Sequence, residues 1–188
     1  MTDIILFHHV QGLTPGVRAF ADRLRAAGHW VATPDLFDGK TFATLEEGVA
    51  HVEGIGFDAV VQRGVDAASE LPERVVYAGF SLGAMPAQRL AQTRPGALAV
   101  LLYHGAVPAD TYGDSWPPDV AIQAHVNDED DWGDLDVMRS LVEQAPDAEL
   151  FTYRGSTHLF TDSGLDVYDA AATGLVVERS LALLARRA

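Results

Sequence analysis

The stretch RVVYAGFSLGA, residues 74–84, decides the fold. Its first part, residues 74–80, is an apolar run typical of a strand that is buried on both faces. Ser81 then stands between Gly79 and Gly83 in the pattern G-x-S-x-G, and small side chains follow with helical spacing at Ala84, Ala87 and Ala91. A buried strand, a tight turn and a helix predict a nucleophile elbow, which exposes a serine hydroxyl at the sheet edge. The alternative is a glycine-rich turn whose serine only caps the helix.

Short apolar runs alternate with helical segments along the rest of the chain. Six runs predict strands, at residues 4–8, 30–33, 74–80, 97–103, 121–126 and 149–153. Thr14-Pro15 and the Thr44/Glu47 capping box begin two helices. Further helices are predicted over residues 58–71, 82–93, 135–144 and 165–187. This alternation predicts an α/β fold, a three-layer sandwich with a mostly parallel sheet.

Length and composition limit the classes of protein to consider. A chain of 188 residues with 48% hydrophobic side chains and no flexible linker predicts a single domain over residues 1–188. The net charge of −14 argues against nucleic acid and anionic membranes as partners. The absence of cysteine excludes disulfides and a thiol nucleophile. No signal peptide or membrane span is indicated, so we expect a cytoplasmic protein; the composition does not indicate an oligomeric state.

A serine nucleophile requires a base and an acid that orients the base. His158 follows the last predicted strand, and the carboxyl ends of parallel strands meet at one edge, so His158 is the expected base. The segment NDEDDWG, residues 127–133, supplies acids between serine and histidine in chain order, but residue chemistry alone does not choose among Asp128, Glu129, Asp130 and Asp131. A calcium loop beginning at Asp128 is excluded, because its fifth and twelfth positions would be Trp132 and Arg139.

The loop after the first strand contributes the remaining candidates. The backbone N–H groups of Val10 and Leu82 are the expected oxyanion-hole donors. Adjacent His8 and His9 point to opposite sides of a strand end and cannot chelate one ion, so we predict no metal site and no cofactor. We expect four side chains to line the substrate pocket, with packing in the core as the alternative: His9, Phe37, His104 and Trp116.

Five segments in the same order resemble the dienelactone hydrolases, a branch of the α/β-hydrolases. They are LFHHVQG (6–12), AGH (27–29) with TPDLF (33–37), GFSLG (79–83), HVNDED (125–130) and STHLF (156–160). The resemblance implies an α/β-hydrolase fold without a cap domain and selects Asp130 as the acid. It further implies that an ester or lactone is hydrolysed through an acyl-enzyme.

Three positions depart from the family pattern. Ser81 replaces the family's cysteine, and His9 stands where the family places a glutamate that activates the thiol. Asp162 stands where the family places an arginine that meets the carboxylate of dienelactone, so an anionic lactone is not the expected substrate. We therefore predict a serine hydrolase acting on a small ester or lactone. The alternative is a catalytically silent protein that binds a small molecule between the long loops at residues 34–43 and 105–119.

Overall fold

The computed structural model describes residues 1–187 and contains one six-stranded sheet, all of whose strands are parallel. Its spatial order is β2-β1-β3-β4-β5-β6. The strands are β1 (Asp3–Phe7), β2 (Trp30–Ala32), β3 (Val75–Phe80), β4 (Ala99–Tyr103), β5 (Ala121–Asn127) and β6 (Ala148–Tyr153). The chain reverses its direction of travel across the sheet between β1 and β3, and such a switch point opens a crevice for a ligand at the carboxyl ends of the strands.

Helices cover both faces of the sheet. They are α1 (Pro15–Ala26), α2 (Leu45–Ile55), α3 (Phe57–Ala67), α4 (Ala84–Thr93), α5 (Leu135–Gln144) and α6 (Ala170–Arg187). The apolar sides of α1 and α6 pack on one face with Ile4, Leu6 and Val76. Those of α2 to α5 pack on the other face, whose strand residues include Ile5, Phe7 and Tyr77. The predicted three-layer α/β sandwich is confirmed.

The two helix starts predicted from a capping threonine are accurate. The Thr14 hydroxyl accepts a hydrogen bond from the Val17 N–H, and the Thr44 hydroxyl accepts one from the Glu47 N–H. The last helix begins at Ala170 and not at residue 165, because Asp169 is its cap and accepts from the Ala172 N–H. The intervening residues form turns. None of the helices within residues 1–187 is long and apolar enough to cross a bilayer.

One edge of the sheet is short and partly covered. Strand β2 has three residues and pairs only with β1. The guanidinium group of Arg25, at the end of α1, donates two hydrogen bonds to the Val31 carbonyl of β2, at 2.6 and 3.2 Å.

Candidate active site

Ser81 lies in a sharp turn directly after β3. Its φ of 50° is in the left-handed region, which non-glycine residues rarely adopt, and residues 81–83 form one turn of 3-10 helix before α4. The flanking glycines permit this turn. A Cβ atom on Gly79 would lie 2.0 Å from the Gly83 carbonyl oxygen, and one on Gly83 would lie 2.5 Å from the Phe7 carbonyl oxygen. The turn therefore has the geometry of the predicted elbow.

The side chains of Ser81, His158 and Asp130 form one hydrogen-bonded chain. The Ser81 Oγ and His158 Nε2 atoms are 2.8 Å apart, and His158 Nδ1 is 2.8 Å from Asp130 Oδ2. A carboxylate only accepts, so Nδ1 carries the proton and Nε2 is free to accept from the serine hydroxyl. The His158 and Asp130 side chains are 4% and 0% exposed, so the bond between them is shielded from water.

Burial distinguishes Asp130 from the other acids of its loop. Asp128, Glu129 and Asp131 are exposed, whereas Asp130 is buried. Its second oxygen accepts a hydrogen bond of 3.0 Å from the Trp132 N–H, which fixes the carboxylate towards His158. Asp128 is occupied elsewhere, because it accepts from the Gly155 N–H at 2.9 Å. Of the four acids, Asp130 is therefore the one that is buried against His158.

Two cavities meet at His158. The first, here called the serine cavity, has a volume of about 250 Å³; its lining includes Ser81, Leu82, Val10, Leu45, Val49, Phe57, Ala84, Met85, Ala106, Val107, Trp132, Asp134 and His158. The second, here called the histidine cavity, has a volume of about 750 Å³; its lining includes Gln11, Thr14, Thr41, Phe42, Thr44, Leu45, Trp132, Ser156, His158, Leu165 and Asp166. Leu45, Trp132 and His158 line both.

The predicted oxyanion-hole residues lie beside Ser81. Val10 and Leu82 both line the serine cavity. Leu82 is in the first turn of the helical segment after Ser81, where backbone N–H groups have no partner within the helix. The carbonyl group of Val10 is close to α2, since a Cβ atom on Gly48 would lie 2.3 Å from its oxygen. Both residues therefore border the cavity that contains Ser81.

The four side chains predicted to line the pocket lie elsewhere, and this is a correction. Phe37 and Trp116 are 1% and 5% exposed and belong to the hydrophobic core. His104 is fully buried and is 2.7 Å from the Thr161 hydroxyl, while His9 is 2.7 Å from Asp162. None of the four lines either cavity. His9 and His104 follow the ends of strands, and Phe37 and Trp116 lie in the two long loops, as expected, but all four side chains are buried instead of lining the crevice.

His8 and His9 have separate structural partners. His8 donates from Nδ1 to the His9 carbonyl and accepts at Nε2 from the Leu36 N–H. Burial lowers the pKa of His8 to about 4, so its ring is neutral at physiological pH. His9 accepts at Nδ1 from the Gln11 N–H and therefore donates from Nε2 to Asp162. Both side chains hold loops in place, and no cluster of three or more potential metal ligands occurs within residues 1–187.

Asp162 does not face either cavity, which corrects the reason given for excluding an anionic substrate. Its carboxylate is 3% exposed and accepts hydrogen bonds from His9, the Thr14 hydroxyl and the Gly164 N–H. Burial acts to raise its pKa, but these hydrogen bonds outweigh burial and hold the pKa below its ordinary value.

The sequence reasoning missed Trp132 and Asp134. Trp132 is 52% exposed and lines both cavities. Asp134 has a φ of 49° and precedes α5 without capping it, and it lines the serine cavity. Burial raises the pKa of Asp134; the charge of Asp130 raises it further, while His158 lowers it. The signal in the sequence was the unusual pair of a large aromatic and an acid directly after the acidic loop.

Comparison with known proteins gives a family match. A sequence model of the Dienelactone hydrolase family matches residues 1–187. No curated protein matches the sequence.

Three solved structures illustrate the likeness of fold. A dienelactone hydrolase-like promiscuous phosphotriesterase from metagenomic libraries is 19% identical, with a TM-score of 0.75 over 100% of this chain and 87% of that one. Mouse alpha/beta hydrolase domain-containing protein 10 is 13% identical, with a TM-score of 0.71 over 99% and 90%. Esterase 2 of Thermogutta terrifontis, phosphoramylated by tabun, is 15% identical, with a TM-score of 0.64 over 98% and 83%. The α/β-hydrolase fold expected from the sequence is confirmed.

Proposed function

The chain belongs to the dienelactone hydrolase family of ester-bond hydrolases, and we propose that it cleaves a small ester or lactone through an acyl-enzyme formed on Ser81. The observation that carries the proposal is the continuous hydrogen-bonded chain from Ser81 through His158 to Asp130. Its distances match those required between a nucleophile, its base and the group that orients the base.

In this mechanism His158 acts first as base and then as acid. Its Nε2 atom takes the proton of Ser81 as Oγ bonds to the carbonyl carbon, and the N–H groups of Val10 and Leu82 stabilise the oxyanion. The proton then passes from Nε2 to the leaving oxygen, and the acyl group remains on Ser81. Water, activated by His158, releases the acid. Asp130 stabilises the imidazolium that exists between these proton transfers.

The contacts favour hydrolysis over the alternative of a silent binding protein. A protein that only binds a small molecule does not need a base within hydrogen-bond reach of the serine. The Ser81 to His158 distance of 2.8 Å supports a working nucleophile. The two long loops of the binding alternative also direct Phe37 and Trp116 into the core, which leaves them unavailable to a ligand there.

Replacing Ser81 by alanine tests the proposal. Turnover of p-nitrophenyl acetate is expected to fall by roughly 10³-fold or more, because the nucleophile is lost while the fold is retained. A fluorophosphonate probe is expected to label the wild-type protein once, at Ser81, as shown by mass spectrometry of peptides. The control variant is Ser140→Ala, an exposed serine of α5, which should keep both properties. Undiminished turnover or labelling in Ser81→Ala would refute the assignment.

A further inference from the structure

The serine cavity and the histidine cavity differ in size and in chemistry. The serine cavity is lined around Ser81 by apolar side chains that include Val49, Met85, Ala106 and Val107. The histidine cavity, about three times as large by the volumes of about 750 and about 250 Å³, carries polar groups that include Gln11, Thr41 and Ser156 beside apolar ones that include Phe42 and Leu165. The site is therefore asymmetric about His158.

We propose that the substrate is an open ester of a short, apolar acyl group and a larger alcohol, with the acyl group in the serine cavity and the alcohol in the histidine cavity. This inference rests on the proposed function and specifies its substrate class.

The direction of proton transfer assigns each half of the ester to its cavity. Oγ of Ser81 forms a bond to the carbonyl carbon and its proton moves to His158 Nε2. The bond from that carbon to the alcohol oxygen then breaks, and the oxygen receives the same proton from Nε2. The alcohol must therefore leave on the His158 side. The histidine cavity is lined by His158 and not by Ser81, whereas the serine cavity contains Ser81, Leu82 and Val10, around which the acyl carbonyl remains.

The volumes set the sizes of the two groups. Pockets that hold a whole drug-sized ligand usually measure about 300–1,000 Å³. At about 250 Å³ the serine cavity is smaller than such a pocket and is suited to a short acyl chain, while the histidine cavity, at about 750 Å³, falls well within this range. An open ester can extend from one cavity into the other past the His158 that they share, whereas a compact ring cannot place its acyl and alcohol parts in separate cavities.

Two ester series test the assignment. In the first, the acyl chain grows from acetate to butyrate to octanoate on p-nitrophenol; in the second, acetate is esterified with ethanol, benzyl alcohol and naphthylmethanol. We expect kcat/KM to fall about tenfold or more from acetate to octanoate, because extra methylenes do not fit, and to vary less than about threefold or to rise along the alcohol series.

Two variants that each gain a phenylalanine side chain test which cavity holds the acyl group and which holds the alcohol. Val107→Phe narrows the serine cavity and Thr41→Phe narrows the histidine cavity. Val107→Phe is expected to lower the butyrate-to-acetate ratio of kcat/KM about tenfold and to leave the naphthylmethyl-to-ethyl ratio unchanged, and Thr41→Phe should do the converse. Circular dichroism and thermal unfolding verify that both variants fold.

The outcomes separate this inference from the function on which it rests. Suppose that the wild-type protein turns over the esters while the two variants change the same kcat/KM ratio, or each changes the ratio expected for the other. That result would overturn the assignment of acyl group and alcohol to the two cavities, and the serine hydrolase proposal would stand. Turnover of medium-chain and short-chain acyl esters at equal rates would overturn the size limit. Failure of every ester, together with absence of fluorophosphonate labelling, would overturn the proposed function and the inference with it.

Discussion

Gly79 and Gly83 show how little space surrounds the nucleophile. Each glycine lies where a Cβ atom would overlap a backbone carbonyl. Gly79→Ala is expected to lower the free energy of unfolding by about 1–3 kcal/mol or more, because the backbone must shift to admit the methyl group. Gly174→Ala in α6 is the matched control, since no atom lies within 4 Å of the added methyl group; it is expected to raise stability by about 0.5–1 kcal/mol. Urea unfolding of both variants measures the contrast. A Gly79→Ala variant with unchanged stability and activity would contradict the close approach of residue 79 to the Gly83 carbonyl oxygen.

Asp134, and not Asp162, is the carboxylate that borders the serine cavity. It is exposed at the serine cavity, and its carboxylate accepts no hydrogen bond from residues 1–187. Asp134→Asn is expected to raise the kcat/KM ratio of p-nitrophenyl hemisuccinate to p-nitrophenyl butyrate about three- to tenfold at low ionic strength, because repulsion of the anionic acyl group is removed. The gain should shrink at 0.5 M salt, where exposed charges are screened.

Asp136→Asn is the control for this charge effect. It makes the same change in net charge two residues away, where the Asp136 side chain is 95% exposed and pairs with Arg139. An equal rise of the ratio in both variants would show that overall charge, and not Asp134, disfavours anions.

The candidate site residues could be predicted from the sequence to different extents. Ser81 and His158 were predictable because each follows a strand in a recognisable local pattern. Asp130 required the family resemblance, since only burial distinguishes it from its three acidic neighbours. The partnership of His9 with Asp162 joins residues 153 positions apart, and neither local pattern nor composition contains that information. The assignment of four side chains to the pocket was wrong for the same reason, because the direction of a side chain in a loop or at a strand end depends on packing against distant residues.

At the scale of elements, the His9–Asp162 pair links the loop after β1 to the turns before α6. Both side chains are almost fully buried, at 1% and 2% exposure. His9→Leu is expected to lower the free energy of unfolding by about 3–5 kcal/mol, because it removes the partner of a buried carboxylate. Asp22→Asn, which breaks the exposed Asp22–Arg25 pair, should cost about 0–1 kcal/mol. Chemical denaturation of the two variants measures the difference, and equal small losses would show that the buried pair contributes little.

Helices α2 and α3 illustrate what element prediction leaves out. Both were expected from sequence, and a capping box correctly began α2. Their contribution of Leu45, Val49 and Phe57 to the serine cavity was not expected. Periodicity identifies which side of a helix is apolar, but it does not indicate which part of the sheet that side covers. The contribution of α2 and α3 to the lining of the serine cavity was therefore found only in the three-dimensional structure.

At the scale of the whole molecule, buried neutral histidines make stability depend on pH. Burial lowers the pKa of His8 to about 4 and that of His125 to about 3, and it lowers that of His104 well below its ordinary value. In the unfolded chain these rings take up protons near pH 6.5, so the unfolded state binds more protons between that pH and the lowered values. The free energy of unfolding is expected to fall as pH decreases below 6.5, by up to ~1.4 kcal/mol per pH unit for each histidine.

Urea unfolding between pH 8 and pH 4.5, in 0.1 M and 0.5 M salt, checks this dependence. Acidification also reduces the repulsion within a chain of net charge −14, which acts in the opposite direction and is screened by salt. The loss of stability on acidification should therefore persist, and steepen, at high salt. A free energy of unfolding that stays constant or rises from pH 7 to pH 5 at both salt concentrations would contradict the predicted effect of the buried histidines.

The short edge strand β2 has a consequence for how copies of the protein behave in a crowded solution. An exposed strand edge is a template on which another chain can add a strand, and long unprotected edges lead to aggregation. Here that edge has only three residues, and Arg25 occupies the Val31 carbonyl with two hydrogen bonds and places a positive charge beside it. An incoming strand would have to displace the guanidinium group and bring its own backbone next to a charge. Arg25, in the last turn of α1, therefore disfavours the addition of a foreign strand at the β2 edge.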